Sequence, residues 1–411
     1  MKILIVGQYY YPDNFRINEI SRELVVRGHE VTVLTGLPDY TTGKIPREYR
    51  FFRKRRERID GVDVVRVPVI ARHTGPIWRS VNYLTFLINS TIYALFGKKD
   101  YDLIFSYQSS PITMANAAVV MKKRTGKKLF LYCLDIWPEC LKVWNISEQS
   151  LLFRVIHRYS KWLYNQCDMI GVTSLPFMDY LAEIDAVGRD KLIYIPQHSE
   201  DILPDELKKL NKTSSSVIRF AFGGNIGSAQ DVECIIRAVH HLLDLENFQV
   251  HIYGDGSNLE NCIQLSEQLK EEKKITFHGR ISSDDLIEEY KKVDAFLITL
   301  KGDNAVGMTI PAKLQEYMAW GKPVFAAIEG AAAEVIQNAQ CGLVANASDD
   351  QGLAANMRAY ILNPSHYEVF GRNARQYYEK NFTKDVFISK LEYIFTDIKN
   401  GEKLCLKEKP Y

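Results

Sequence analysis

Lys313 and Glu316 stand three residues apart in "GMTIPAKLQEYMAWGKPVFAA", Gly307 to Ala327. On a helix that spacing puts both side chains on one face. A carboxylate so placed accepts both hydroxyls of a ribose, and an ammonium neutralises a diphosphate as a point charge. The same two residues also read as a solvated ion pair, a feature that contributes roughly 0–1 kcal/mol. Pro311 suits the first turn of a helix, and "GKPVFAA" behind it reads as a turn entering a buried strand. The helix start therefore points toward a strand end, where ligands of open α/β sheets bind.

Other short stretches carry chemistry of the same kind. "AFGGNIGSAQDVE" follows a strand with Gly223, Gly224, Asn225, Ile226 and Gly227 and then enters a helix. Such a turn offers backbone N–H groups and a helix N-terminus to an anion such as a diphosphate, although similar turns occur without ligands. "YGDGSN" and "FHGRISSDDL" end the next two strands. Gly279, Arg280 and Ile281 can present backbone groups to a base edge with Arg280 near a phosphate, while Ser282 or Ser283 caps the following helix. "GQYYYPDNFR" closes the first strand without a G-x-G-x-x-G fingerprint, which removes the main support for hydride transfer. Its Gly7 permits a tight turn. Its tyrosines, Tyr10 among them, either line a sugar or lipid-headgroup surface or pack the loop, and Arg16 either meets an anion or is simply exposed.

These motifs need parallel sheets to position them. "KILIVGQ", "NEISRELVVRG" and "HEVTVLTG" form a strand–helix–strand unit whose helix ends at Gly28. "DVVRVPV", "YDLIFSY", "KKLFLYCLD", "DMIGVTS" and "KLIYIPQ" continue the series, and near-continuous apolar strands indicate a parallel sheet covered on both faces. The polar stretch from His198 to Ser216 reads as a linker, placed at 201–216. After it "VIRFAFGGN", "FQVHIYGDG", "KITFHGR", "AFLITL", "PVFAAI" and "CGLVAN" build a second sheet of the same style. The expected fold class is α/β, with two Rossmann-like doubly wound domains facing a cleft. The segment Tyr367–Ile398 has helical spacing and is expected to pack across the junction.

Composition sets the outer bounds. A chain of 411 residues is too long for one core, and a formal net charge of +2 says little about partners. The 7 cysteines are scattered with no C-x-x-C pair, which argues against a disulfide framework or zinc site and for a reducing compartment. The N-terminal "MKILIVG" is too short for a signal peptide, and "YLTFLINSTIYALF" falls short of the ~20 residues that span a bilayer. A cytoplasmic, non-spanning protein is expected.

The ordered set "GQYYYPD", "RGHEVTVLTGLPDY", "LDIWPE", "GGNIGSAQ", "YGDG", "FHGR" and "TIPAKLQEYMAWGKPV" resembles the retaining glycosyltransferases of family 4, with the GT-B fold. Within them it is most similar to the bacterial polysaccharide branch that moves N-acetylhexosamines or FucNAc. The resemblance implies an acceptor-binding domain over residues 1–200, a nucleotide-sugar domain over 217–383 and a helix near 384–400 that packs back on the first. It implies transfer from a UDP-sugar to an undecaprenyl-diphosphate-linked saccharide in capsule, O-antigen or exopolysaccharide synthesis, without metal or cofactor. It assigns Glu316 to the donor ribose. The acid expected eight positions earlier falls at Met308 and is absent, and Asn225 and Gln230 stand where the glycine loop usually carries Arg and Lys. Lys313 and Arg280 are the candidates for that charge, and Gly224, Asn225, Gly227, Ile281, Thr309 and Pro311 complete the donor set. Gly7, Tyr10, Asn14 and Arg16 form the acceptor set. In "LDIWPEC" only the acid of the family's His-Asp pair matches, so Asp135 and Glu139 are candidates to take the acceptor proton, with a turn or N-cap role as the alternative for Asp135. A front-face displacement assisted by the donor diphosphate would need no protein base. Two other functions fit the same outline: a UDP-sugar 2-epimerase and a non-catalytic nucleotide-sugar-binding partner.

Between Lys44 and Arg58, "KIPREYRFFRKRRER" carries eight Lys/Arg against two acids, with aromatic residues interleaved. Each cation near an anionic membrane contributes roughly 1 kcal/mol. Arg53, Arg55, Arg56 and, in the apolar run downstream, Phe86 are the expected membrane contacts, against the readings of a solvated loop and a core helix. Peripheral association with the inner face of the cell membrane follows. No nucleic-acid fold accompanies the basic cluster, so no nucleic-acid partner is expected.

Overall fold

The computed structural model describes residues 1–51, 53–144, 146–199, 217–302 and 307–401. The expected linker at 201–216 and Phe52 of the basic stretch lie outside the described residues. The chain divides into two compact units: Met1–Ile195 with the stretch from Ile388 onward, and Pro196–Phe387.

The first unit is built on strands β1 (Lys2–Val6), β2 (Glu30–Gly36), β3 (Arg56–Ile59), β4 (Val62–Val67), β5 (Leu103–Gln108), β6 (Lys128–Cys133), β7 (Met169–Val172) and β8 (Leu192–Tyr194). Their spatial order is β3-β4-β2-β1-β5-β6-β7-β8. Helices α1 (Arg16–Val26), α2 (Pro76–Phe96), α3 (Asn116–Thr125), α4 (Leu151–Gln166) and α5 (Leu175–Glu183) connect them. Ile3, Leu4, Ile5 and Val6 are fully buried, as are Leu103, Ile104 and Phe105, because helices cover both sheet faces. The chain leaves β1 toward β2 on one side and reaches β5 on the other. The loops after β1 and β5 therefore diverge, and a crevice opens at their strand ends.

β3 is antiparallel to β4, with Arg56 opposite Val65 and Ile59 opposite Val62. The basic stretch thus ends in an edge strand, which the sequence did not indicate. Its exposed Arg56 and Arg58 suit an edge that must not pair with another chain.

Helix α2 corrects the expectation for Phe86, which is only 1 % exposed and cannot meet a membrane. Asn82, Phe86, Ser90 and Ala94 form the buried seam at four-residue spacing. The outward stripe is Ile77, Leu84, Ile88, Ile92 and Leu95. An apolar helix gave no polar face to orient it from sequence. Its inward polar residue Asn82 is held instead, donating to Asp39 at 2.7 Å and accepting from Gln8 at 2.8 Å.

The second unit has strands β9 (Ile218–Gly223), β10 (Phe248–Tyr253), β11 (Ile275–Gly279), β12 (Ala295–Thr299), β13 (Val324–Ala327) and β14 (Gly342–Ala345). They are all parallel, in the order β11-β10-β9-β12-β13-β14. The switch point falls between β9 and β12, so the glycine loop after β9 sits where a ligand crevice forms. Apolar clusters fill both faces, one around Phe220, Phe222 and Ile252, the other around Tyr290, Phe296 and Trp320.

The C-terminal segment with helical spacing is two helices, Glu368–Asn381 and Lys384–Asn400. In the first unit, Arg27 and His29 each reach Glu392 at 2.8 Å, and Lys399 reaches Asp102 at 3.4 Å.

Candidate functional site

In the second unit, three backbone turns converge on the end of β9. A Cβ on Gly223 would lie 1.7 Å from the Tyr290 hydroxyl, and one on Gly254 would lie 1.8 Å from the Gly224 carbonyl. Only glycine permits this approach, and Gly254 also has φ of +138°. The Tyr317 hydroxyl fixes the turn from below by accepting the Gly223 amide at 2.8 Å. Tyr317 stands next to Glu316, so the helix Ala312–Ala319 carries both the candidate ligand groups and the group that holds the loop.

Lys313 belongs to this assembly. The side chain is half-buried, but its Nζ is fully buried and has no hydrogen-bond partner. A Cβ on Gly224 would stand 3.3 Å from that Nζ, and the ammonium lies 3.8 Å from the centre of the Phe222 ring. Burial pushes its pKa down to about 8, and the neighbouring Glu316 charge opposes the fall. The solvated ion pair considered from spacing is therefore not what forms. Pro311 is the residue that precedes the helix, and Thr309 lies half-buried two positions earlier.

A pocket of about 330 Å³ joins Gly224 and Asn225 to Tyr253, Gly254, Arg280 and Ile281. Arg280 is exposed at its rim. Ser282 caps the following helix by accepting the Asp285 amide at 3.1 Å. Beside the pocket, the rings of Tyr253 and His278 stack at 4.4 Å, and His278 Nε2 lies 3.0 Å from His251 Nδ1. Burial and the second imidazole lower the His251 pKa to about 4.

The glycine loop departs from expectation beyond Gly227. A 3₁₀ turn, Ser228–Gln230, intervenes, and the α-helix begins only at Val232. Gln230 folds back, its Oε1 accepting from Asn225 Nδ2 at 2.9 Å and from the Gly227 amide at 3.1 Å. Asn225 and Gln230 thus brace the loop, and Gly227 gives its amide to that brace. Phe222, Tyr317 and Tyr290 were missed in the sequence because strand-end and helix aromatics read as core.

In the first unit, Asp135 follows β6. Its Oδ2 accepts the Ser110 hydroxyl at 2.7 Å, and Trp137 Nε1 donates to the same Ser110 oxygen at 3.2 Å. Burial raises the Asp135 pKa, and the Ser110 hydrogen bonds oppose it. Glu139 is committed elsewhere, accepting from Tyr180 at 2.9 Å and pairing with Lys142.

The loop after β1 is mostly packing. Tyr10 is 3 % exposed and its hydroxyl bonds Ser21 at 2.8 Å, so it offers no surface to an acceptor. A Cβ on Gly7 would meet Ile17 Cδ1 at 2.9 Å, which makes Gly7 a helix-packing glycine. Asn14 is exposed, and Arg16 is half-buried with its charge acting on Tyr132. Asp13 binds the Tyr40 and Thr41 amides. Asp39, with its pKa raised to about 6 by burial, accepts from the Arg72 amide at 2.8 Å. The Arg72 guanidinium lies 4.5 Å over the Tyr40 ring. Of the basic stretch, Arg53 and Arg56 are exposed while Arg55 is half-buried. Among the described residues no helix is long and apolar enough to cross a membrane, and no group of three or more His, Cys, Asp or Glu side chains is placed to hold a metal ion.

Comparison with known proteins agrees with this division. Residues 14–198 match the family Glycosyl transferase 4-like domain, and residues 205–377 match Glycosyl transferases group 1. "Putative colanic acid biosynthesis glycosyl transferase WcaI" of Escherichia coli (strain K12) is 23% identical over 407 residues, covering 94% of this chain and 97% of its own. The sucrose-phosphate synthase of Thermosynechococcus elongatus is structurally similar, with a TM-score of 0.72 at 15% identity over 98% of this chain and 100% of that one. HepE of Anabaena, solved with UDP and glucose, has a TM-score of 0.67 at 16% identity over 96% and 99% of the two chains. With one matched domain in each half and the two-sheet architecture described above, the chain is a glycosyltransferase of the GT-B fold, built from a family 4-like domain and a group 1 domain.

Proposed function

We propose that the protein is a retaining glycosyltransferase that moves a sugar, an N-acetylhexosamine or FucNAc, from a UDP-sugar to an undecaprenyl-diphosphate-linked saccharide in capsule, O-antigen or exopolysaccharide synthesis. One observation carries the donor half. The buried Lys313 ammonium, without a hydrogen-bond partner, faces the Gly224 turn beside the Arg280 pocket. Holding that charge there costs roughly 3 kcal/mol, and a diphosphate would offset it. Glu316 takes the ribose hydroxyls, and the Arg280–Ile281 backbone meets the base. Lys313 and Arg280 stabilise the leaving diphosphate electrostatically, without a metal ion.

The acceptor hydroxyl attacks the anomeric carbon on the face that the diphosphate leaves, and its proton passes to the departing diphosphate oxygen or to Asp135. The raised Asp135 pKa suits a proton acceptor better than Glu139, whose oxygens are committed. The relatives named for colanic acid synthesis and for UDP and glucose support the substrate class. Exposed Ile77, Trp78 and Leu84 on α2, with the exposed cations Arg53 and Arg56, support peripheral contact with the inner membrane face.

Incubation with UDP-GlcNAc tests the reading. UDP release that depends on a polyprenyl-diphosphate sugar is expected. Epimer formation without acceptor, or binding without turnover, would replace transfer with one of the two other functions.

A further inference from the structure

A pocket in the first unit has about 680 Å³ of space. Its walls come from α2, from the Ser110–Thr113 segment after β5, from the Trp137–Leu141 segment after β6 and from α4. The lining is graded. Arg72, just before α2, and Arg79, in its first turns, belong to it, followed along that helix by Tyr83, Leu84 and Leu87. Across from these, α4 contributes Leu152, Val155 and Ile156. Leu84, Leu152 and Val155, which line the same pocket, are 54%, 52% and 57% exposed.

Polar residues belong to the lining as well. Ser110 lines the pocket and donates to Asp135, and Trp137 lines it while donating to Ser110. Arg72 is fixed over Tyr40 and half-buried. The groove therefore offers the cations Arg72 and Arg79 beside the aliphatic walls of α2 and α4, with Ser110, the partner of Asp135, in its lining. That polarity fits a molecule with an anionic head and a long hydrocarbon tail.

We infer that this groove takes the prenyl tail of the acceptor, with its diphosphate held by Arg72 and Arg79 and its sugar directed toward Asp135. The inference rests on the lipid-linked acceptor reading above and adds the place where the lipid is recognised. Charge complementarity selects this occupant. A second copy packed on the same face by two-fold symmetry would set one positively charged patch, with Arg72, Arg79 and the exposed Arg154 and Arg158 of α4, against another. A diphosphate neutralises them, and each buried tail methylene adds roughly 0.8 kcal/mol.

Calorimetry on the full chain with farnesyl diphosphate as the probe tests this. Farnesyl diphosphate is expected to bind at least tenfold tighter than inorganic pyrophosphate. Leu152→Gln with Val155→Gln, two exposed positions, should reduce that advantage at least tenfold while leaving UDP affinity unchanged. Equal binding of the two probes, or no effect of the substitutions, would overturn the inference. So would a dimer in the parent protein that the substitutions dissociate, since the occupant would then be a second copy. If farnesyl diphosphate binds as expected but no sugar reaches a polyprenyl-diphosphate acceptor, the groove stands and the acceptor reading falls.

Discussion

The ammonium of Lys313 lies 3.8 Å from the centre of the buried Phe222 ring, with the Gly224 turn beside it. The ring face attracts the cation, worth about 2 kcal/mol when desolvated, but offers its N–H groups no N, O or S acceptor. The buried ammonium is left without a hydrogen-bond partner.

Removing that charge should separate binding from stability. Lys313→Met is expected to weaken UDP binding roughly 10- to 100-fold, since a buried anion would lose its counter-charge. The melting temperature should stay level or rise, because the buried ammonium is uncompensated in the free protein. Calorimetry and a thermal melt read the two effects. Unchanged UDP affinity would remove Lys313 from the donor site.

The same group sets a pH dependence. The folded pKa is depressed to about 8 from 10.5, and a bound diphosphate would raise it again. UDP affinity should therefore be flat below about pH 8 and fall as pH rises above it. Folding stability without ligand moves the other way, rising between about 8 and 10.5 as the unfolded chain binds the extra proton. UDP titrations from pH 7 to 10 check this, and Lys313→Met should abolish the fall.

Asp135 and Glu139 are expected to differ. Asp135→Asn keeps the Ser110 contact and should lower transfer at least tenfold with UDP affinity intact. Glu139→Gln keeps its Tyr180 contact, loses charge against Lys142 and should leave turnover within a few-fold. A larger loss from Glu139→Gln than from Asp135→Asn, in steady-state kinetics, would exchange their roles.

Acid should act through the histidine pair. His251 has its folded pKa lowered to about 4 from 6.5, so the unfolded chain binds more protons between those values. Stability contributed there is present above pH 6.5 and lost as pH falls toward 4. His251→Leu should shift the acid-unfolding midpoint, followed by circular dichroism, to lower pH. An unmoved midpoint would assign the acid sensitivity elsewhere.

Gly223→Ala should destabilise the chain by about 2–4 kcal/mol, because its methyl would meet the Tyr290 hydroxyl. Tyr290→Phe removes that oxygen and should rescue part of the loss in a double-mutant cycle read by urea unfolding. Additive losses would show that the contact is not the cause.

The architecture was legible in the sequence because buried parallel strands are written as apolar runs such as "KILIVG" and "DLIFSY", separated by helices and stopped by glycine. The same alternation did not reveal β3, a short charged strand without an apolar run. The nucleotide-binding candidates were also legible as types: Gly224, Arg280 and Lys313 are informative because glycine and cations at strand ends have few other uses. What only the tertiary structure decided is direction. Phe86 and Leu84 are both apolar residues of one helix, and the surroundings of α2 bury the first and expose the second. Lys313 and Glu316 have the spacing of a surface pair, and the convergence of Phe222, Gly224 and Tyr317 brings the lysine inward. Asp135 and Glu139 are equivalent acids until Ser110, Tyr180 and Lys142 approach from distant parts of the chain. Periodicity encodes which face is apolar, but the partner that meets a side chain is set by contacts far apart in sequence.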